Sequence, residues 1–385
     1  MADADPERCG TIGRYRIGSD TQAKKFLTIL DGLPSDVTED PDLRASVSRI
    51  RAYGDGPAPL PQIGLFLTRL KRRVVAALTS RGRLDIHRVC VDELRLVDDY
   101  WAVDKRADLR GRRLVLACGA SERRKDALAT LFSYGLDPAR QDRVVLSSDW
   151  LSASGQQLDR LFEESPDPHI VIVGGSHSAI SSAAALLHRP SASQLGVGAV
   201  TILHRNKMTA TFASTDEARQ CGYRAFGPDD ICPVTQRVHA LGGFRLESRY
   251  LLMQMRGWGG AQPEPRVADH LLSSLTKQGV RRRLNSAMRV ISALGYRPDL
   301  PRLYVGGEQV MPSGPVFVDA RSRLLDARGR PVPGVQAIGL AVGYDLRGRF
   351  GEVGFEGQAN GLVLWFKEIG ETILPASDGA AEWAA

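Results

Sequence analysis

One β-α-β unit, centred on residues 169–187, constrains the fold of this chain more than any other stretch. It opens with the apolar run His-Ile-Val-Ile-Val, which is typical of a strand buried in a parallel sheet. Two glycines end this run, an alanine-rich helix is predicted over residues 179–187, and a second apolar run occupies residues 199–203. The pattern therefore predicts an α/β fold with a Rossmann-like unit.

The turn between the first strand and the helix is a candidate dinucleotide-binding site. Such a turn presents free backbone N–H groups and a helix N-terminus to a pyrophosphate. The full fingerprint is Gly-x-Gly-x-x-Gly/Ala, and this turn has a serine at the second glycine position. An ordinary βα turn that binds nothing is the alternative. The candidate residues are Gly174, Gly175, Ser176, His177, Ser178 and Ala179.

The residues after the second strand bear on the choice of dinucleotide. An acid at this position suits the ribose 2′-hydroxyl of NAD, whereas an arginine suits the 2′-phosphate of NADP. The chain reads His-Arg-Asn-Lys over residues 204–207 and has no acid before Asp216. Arg205 is planar and multidentate, so it favours NADP(H). A solvated basic loop is the alternative.

Composition and charge exclude several classes of protein. The 43% hydrophobic and 25% charged residues are typical of a soluble globular protein, and no apolar run approaches the roughly 18 residues of a membrane span. The net charge of +7 is spread along the chain, so neither nucleic acid nor a membrane is expected as a partner. Five cysteines without a Cys-x-x-Cys motif fit a reducing, cytoplasmic location.

Several other residues are candidates for a catalytic or binding role. His177 is a candidate contact to nicotinamide or phosphate, with a polar cap as the alternative. Asp229 and Asp230 are a weak metal candidate, because adjacent loop carboxylates are usually solvated or capping, and no metal site is expected. Cys221 and Cys232 are expected to be separate thiols rather than a redox pair. The loop at residues 212–243 is long for a connection, so we expect it to carry function.

Hydrophobic periodicity also predicts the elements outside this unit. Helices are predicted over residues 21–30, 41–52, 63–78, 126–134, 248–255 and 267–278. Strand-like runs occupy residues 86–91, 94–97, 100–103, 113–119, 143–146, 288–294 and 335–338.

Six stretches, taken in their order, resemble the flavin-dependent, NADPH-using oxidoreductases of the lysine/ornithine N-monooxygenase-like branch. They are residues 173–179, 203–206, 222–233, 290–298, 337–341 and 355–361. The resemblance implies two Rossmann-like domains, the second inserted in the first. Residues 1–165 and 291–385 would form the FAD-type domain, and residues 166–290 would bind NADP(H). It further implies that NADPH reduces FAD and that the reduced flavin activates oxygen to hydroxylate a small molecule, for example at an amine nitrogen.

The resemblance also assigns cofactor positions. Gly174, Ser176, Ala179 and Arg205 would hold NADP(H). Cys118 and Gly119 stand where the family has an Ala-Thr-Gly element. The glycine-rich entry to the last predicted helix, including Gly354 and Gln358, would lie near the flavin ring, where a helix N-terminus stabilises negative charge. No catalytic residue is identified.

The sequence departs from the family at its front. No strand, Gly-x-Gly-x-x-Gly turn and helix for the FAD pyrophosphate precedes Arg14, and the family's Gly-Asp element near residues 337–341 lacks its aspartate. Three interpretations stay open: a start codon assigned too late, an element supplied by a partner chain, or a degenerate member without flavin. The last would be a NADP-binding sensor or an interaction subunit. A homo-oligomer also stays open.

Overall fold

The computed structural model describes residues 1–165, 167–310, 316–339, 342–344, 346–348 and 351–356. Its α-helices span Ala23–Phe26, Ser35–Thr38, Pro41–Arg51, Leu60–Ser80, Arg124–Ser133, Ser147–Ser152, Gly155–Glu164, His177–Leu187, Thr215–Gln220, Leu246–Arg256 and Lys277–Ser286. Its strands span Gly18–Gln22, Pro57–Pro59, Glu93–Val97, Tyr100–Val103, Arg106–Gly111, Leu114–Leu116, Ala120–Ser121, Val144–Leu146, Ile170–Val173, Val200–His204, Val267–Leu271, Arg289–Ser292, Arg297–Pro298, Arg302–Val305, Glu308–Gln309, Arg323–Leu325 and Pro331–Ala337.

Five parallel strands form the main sheet. Their spatial order is Val267–Leu271, Val200–His204, Ile170–Val173, Arg289–Ser292 and Val144–Leu146. Alternate residues of the central strand enter two different cores: Ile170 and Ile172 pack on one face, and Val171 and Val173 on the other. A strand buried on both faces needs apolar residues at every position, which explains the unbroken apolar run.

Strands from before and after the main sheet pair with each other in two further sheets. Leu114–Leu116 lies parallel to Pro331–Ala337, and Glu93–Val97 lies parallel to Arg302–Val305. The two pairs share one core, which includes Trp101. The predicted α/β fold with one unit inserted in another is thus confirmed.

The main sheet draws strands from across the predicted domain limits. Val144–Leu146 precedes residue 166, and Arg289–Ser292 crosses residue 290. The division at residues 165/166 and 290/291 itself stays a prediction.

A helical region at the N-terminal end has its own core. The helix Pro41–Arg51 begins where the Asp40 carboxylate accepts a hydrogen bond from the Leu43 N–H group at 2.9 Å. The longer helix Leu60–Ser80 crosses the segment near Gly13 so closely that a Cβ on Gly64 would overlap the Gly13 backbone. Two facing glycines therefore set this crossing.

Three predicted elements are wrong. Residues 267–271 form an edge strand rather than the start of a helix, because they pair in parallel with Val200–His204; the helix begins only at Lys277. Residues 18–22 form a strand paired with Pro57–Pro59, so the predicted helix begins only at Ala23; it is α-helical to Phe26 and continues as a 3-10 helix over Leu27–Leu30. Residues 86–91 form no strand, and His87 makes only an isolated bridge. In each case the pairing partner is distant in sequence.

None of the helices in the described part of the chain combines the length and the apolar character that crossing a bilayer requires.

Candidate functional site

The predicted dinucleotide turn lies at the carboxyl edge of the main sheet, between two neighbouring strand ends. Gly174 has a φ of +141°, and a Cβ there would overlap the carbonyl oxygen of Ala293. A Cβ on Gly175 would lie 2.8 Å from the Cβ of His204. Both glycines are therefore required for the turn to fit between the two strands that flank it.

The helix that follows this turn leaves its first amides without intrahelical partners. Ser176 stands at the N-cap position, is exposed, and makes no side-chain capping bond. The N–H groups of Ala179 and Ile180 both donate to its carbonyl oxygen. The amides of His177 and Ser178 precede the helical ladder and point out of the helix N-terminus. This arrangement fits an anionic phosphate, and Gly174 to Ala179 come together in it.

Arg205 follows the second strand directly, as predicted. Its side chain is exposed and has no ion-pair partner within the described residues. A carboxylate does lie nearby on the edge strand, but it is engaged. Asp269 accepts from His204 at 2.8 Å and from both terminal nitrogens of Arg256 at 2.5 and 2.6 Å. Asp269 is therefore already paired, whereas Arg205 is exposed and unpaired among the described residues.

The buried side chains of His204 and Asp269 form a hydrogen-bonded cluster under the turn. His204 also places its Nδ1 atom 2.9 Å from the Asn206 carbonyl oxygen, so both ring nitrogens face acceptors. Burial would raise the pKa of Asp269, but hydrogen bonds from His204 and Arg256 hold that pKa well below its usual range. The cluster fixes the backbone against which Gly175 packs.

The other predicted cofactor residues lie apart from this turn. Gly119 has a φ of +74°, and Cys118 is exposed; together they follow Leu114–Leu116 and lead into the short strand Ala120–Ser121. Because no helix begins there, this turn offers no helix N-terminus to a pyrophosphate. Gly354 packs on the 212–243 loop through its N–H bond to the Asp229 carbonyl oxygen at 2.8 Å. Gln358 lies outside the described residues.

The 212–243 loop contains a buried polar pair that the sequence interpretation missed. The Tyr223 hydroxyl lies 2.7 Å from His239 Nε2 and donates to the Ala225 carbonyl oxygen at 3.0 Å. His239 Nδ1 lies 3.6 Å from Asp230. Burial raises the pKa of Tyr223 to about 12 and lowers that of His239. The unusual length of this loop was the one signal that pointed to it.

The remaining candidates in this loop have structural roles. Asp230 caps the Gly227 N–H group at 2.8 Å, and no cluster of three or more potential metal ligands occurs among the described residues. Cys221 and Cys232 are free thiols. The buried Glu352 accepts from the amides of Leu241 and Gly242 at 2.9 Å, which ties residues 351–356 to the loop.

A cleft of about 160 Å³ opens beside the helix His177–Leu187, next to the glycine turn. Its walls come from six separate parts of the chain. Its polar lining residues are Tyr15, Ser19, Asp20, His177, Ser178, Ser181, Arg245, Glu247, Ser248 and Tyr296. The hydroxyl groups of Tyr15 and Tyr296 lie 3.0 Å apart at one side.

His177 turns towards this cleft rather than towards the glycine turn. Its Nε2 atom is buried, makes no hydrogen bond, and lies 3.5 Å from Asp20, while its ring meets Phe244 edge-on at 5.0 Å. Burial lowers the pKa of His177, Asp20 opposes that shift, and Arg245 adds to it. A neutral imidazole with an unpartnered nitrogen can accept or donate a hydrogen bond to a ligand.

The comparison with curated proteins identifies the family. Over 399 aligned residues, the chain is 31% identical to the CMP-5'-(3-aminopropyl)phosphonate hydroxylase of Streptomyces rubellomurinus, covering 95% of this chain and 87% of that enzyme. The chain belongs to the family of this hydroxylase. It is therefore an enzyme of the oxidoreductase class, a monooxygenase that acts on a small molecule, which confirms the prediction from sequence.

Two solved structures show weaker likeness, and no protein-family model matches the sequence. L-lysine 6-monooxygenase from Pseudomonas syringae aligns with a TM-score of 0.44 and 16% identity, covering 84% of this chain and 83% of its own. Fdr9 aligns with a TM-score of 0.32 and 17% identity over 69% of this chain, which spans about half of that protein (51%).

Proposed function

We propose that this chain hydroxylates the amine nitrogen of a small phosphonate-linked amine, with NADPH as the reductant and FAD as the second cofactor. The 31% identity with the Streptomyces hydroxylase, extending over 95% of the chain, carries the proposal. The name of that enzyme describes a hydroxylation and a substrate with an aminopropyl group joined to a phosphonate. We transfer these chemical features to this chain as a substrate class.

The geometry of the glycine turn supports NADPH binding. The free helical amides suit the pyrophosphate, and the unpaired, exposed Arg205 suits the 2′-phosphate. Since Asp269 is engaged by Arg256 and His204, it neither repels that phosphate nor accepts from a 2′-hydroxyl. When bound, NADPH supplies a hydride. The chain's own work is to hold the anionic groups and to orient the rest of the dinucleotide along the sheet edge.

FAD enters the proposal through the family resemblance alone. Within the described residues, the Cys118–Gly119 turn leads into a strand and provides no cradle comparable to the glycine turn. This observation favours a second candidate function, a flavin-less relative that binds NADP(H) as a sensor or interaction subunit.

The absorption spectrum of the purified chain, with and without added FAD, separates the two candidates. We expect a yellow protein that NADPH bleaches under anaerobic conditions. In air, the same protein should convert CMP-5'-(3-aminopropyl)phosphonate to a product with one added oxygen atom, detected by mass spectrometry and labelled by heavy-isotope O₂. A colourless protein that binds NADPH and takes up no FAD would contradict the monooxygenase proposal and favour the sensor.

A further inference from the structure

The cleft beside His177 contains charges that the glycine turn does not use. Two carboxylates, Asp20 and Glu247, and one guanidinium, that of Arg245, line the same small cavity. The carboxylates come from the strand Gly18–Gln22 and the helix Leu246–Arg256, which pack together. Opposite charges built into one cavity are complementary to a ligand that itself carries both signs.

The two carboxylates lack the partners that acids find elsewhere in this chain. Asp20 lies 3.5 Å from His177 and accepts a hydrogen bond from the Thr21 hydroxyl at 3.4 Å, and Glu247 lies 3.3 Å from His188. Neither carboxylate forms an ion pair with Lys or Arg among the described residues. Other partly buried acids bind arginine at hydrogen-bond distance: Asp159, Glu217, Glu264 and Asp269, at 2.5 to 2.6 Å. Asp20 and Glu247 are thus available to a cation from outside the chain.

Arg245 is similarly incomplete. It donates one hydrogen bond, to the Ala240 carbonyl oxygen at 2.6 Å, although a guanidinium carries five N–H donors. Arg245 lines the cleft, and its guanidinium makes no other hydrogen bond within the part of the chain that the structure describes. Beside it lies the buried Nε2 atom of His177, which also makes no hydrogen bond. Buried polar groups without hydrogen-bond partners are unfavourable, so a partly buried cation and an unpartnered nitrogen in one cavity favour the binding of a polar ligand.

The size of the cavity limits that ligand. Its volume of about 160 Å³ corresponds to roughly five water molecules in the liquid. A three-carbon chain with a charged group at each end is of this order of size.

We infer that this cleft is the substrate's amine subsite, in which Asp20 and Glu247 bind the ammonium group and Arg245 binds a phosphonate oxygen. The ligand class is an ω-aminoalkylphosphonate, free or joined to a larger group. The inference rests on the proposed function for the identity of the reaction, but the cleft and its charges do not depend on it. His177 completes the subsite by hydrogen bonding to whichever polar group lies nearest its Nε2 atom.

Binding of three probes tests each charge separately. Isothermal titration of the full chain, with FAD and NADP⁺ present, would use 3-aminopropylphosphonate, propylamine and propylphosphonate. We expect the first probe to bind most tightly. The double variant Asp20→Asn/Glu247→Gln should bind both amine-bearing probes about tenfold more weakly and bind propylphosphonate with unchanged affinity. Arg245→Met should lower the affinity for both phosphonate-bearing probes and leave the affinity for propylamine unchanged.

Controls separate binding from folding. Glu163→Gln removes an exposed carboxylate on a distant helix and should change no affinity. Because Arg245 is partly buried, Arg245→Lys serves as a second variant that keeps the charge and should retain more affinity than Arg245→Met. Thermal unfolding of every variant shows that the fold is intact.

Several outcomes would overturn the inference: equal affinities for the double variant and the wild type, no binding of any probe to the wild type, or a loss of NADP⁺ affinity in place of probe affinity. Failure of the proposed function looks different. There the probes would follow the expected pattern, yet the wild type would form no hydroxylated product. Conversely, the wild type could form the hydroxylated product while the variants keep unchanged affinities for the probes. That result would contradict the subsite and leave the proposed function intact.

Discussion

The glycine turn at Gly174 and the turn at Gly119 both follow a parallel strand, but only the first leads into a helix. At Gly174 the chain is wedged between two strand ends, and the next residues begin an eleven-residue helix. At Gly119 a Cβ would meet open space, and the next residues form a two-residue strand. A glycine after a strand is therefore a weak sign of an anion site. The strong sign is a glycine that the packing requires, followed by free helical amides.

The largest difference between the two turns should appear on adding a methyl group to each. Gly174→Ala forces a left-handed φ and a clash with the Ala293 carbonyl group, so we expect a loss of about 4 kcal/mol in unfolding free energy. Gly119→Ala meets no neighbour and should cost about 1 kcal/mol. Chemical denaturation at pH 7 measures both. Equal costs would contradict the distinction between the turns.

Substitution in the His204–Asp269 cluster beneath the glycine turn should lower the unfolding free energy nearly as much. Asp269→Asn removes the buried carboxylate that binds Arg256 and His204, so we expect a loss of about 3 kcal/mol in unfolding free energy. Because the pKa of Asp269 is held below its usual 3.8, its contribution is present above that value and is lost as the pH falls through the folded pKa. The gap between wild type and variant should stay constant from pH 7 to pH 5 and shrink in stronger acid.

The matched control for this variant is Asp216→Asn, since the Asp216 side chain is 81% exposed. It should change the unfolding free energy by less than about 0.5 kcal/mol. A gap for Asp269→Asn that widens on acidification would contradict the argument.

In the proposed NADPH site, one exposed side chain, that of Arg205, would decide the choice of dinucleotide. Arg205→Ala should weaken NADPH binding about tenfold, or about 1.4 kcal/mol, while the affinity for NADH stays the same. Fluorescence titration with both dinucleotides measures this. Arg160→Ala, which removes an exposed arginine on another helix, is the control. A parallel loss for NADH would mean that Arg205 acts on something other than the 2′-phosphate.

The smallest effect concerns the 212–243 loop, against which Gly354 packs. Tyr223→Phe loses the hydroxyl bonds to His239 and Ala225 and should cost about 1 kcal/mol at pH 7. Burial raises the pKa of Tyr223 from 10 to about 12, so the stability from its neutral hydroxyl is lost as the pH rises between these values. The unfolding free energy of the phenylalanine variant should therefore decrease less steeply with pH than that of the wild type from pH 10 upwards. Tyr250→Phe, on the exposed surface, should follow the wild type.

The predictable parts of this molecule are those encoded by neighbours in sequence. The apolar run, the glycines and the helix of the β-α-β unit lie within residues 169–187, so local patterns specify them. The position of Arg205, directly after the second strand, is predictable for the same reason. The strand Val267–Leu271 was mistaken for helix because its conformation is decided by pairing with Val200–His204, which no local pattern records.

The candidate subsite illustrates the limit more sharply. Tyr15, Asp20, His177, Arg245 and Tyr296 meet in one cleft although almost three hundred residues separate the first from the last. Each is unremarkable within its own segment. Only the packing of segments that are distant in sequence gives them a shared environment.

The insertion of the main sheet has a consequence for how the chain folds. Leu114–Leu116 finds its partner roughly two hundred residues later, in Pro331–Ala337. Closing so long a loop is entropically unfavourable in an unfolded chain. Once the inserted parallel sheet has formed, it holds the two flanking segments near one another, and the remaining closure is short. During synthesis we therefore expect the earlier strands to stay unpaired until the inserted parallel sheet has formed, so that this sheet brings together the segments that complete the outer unit.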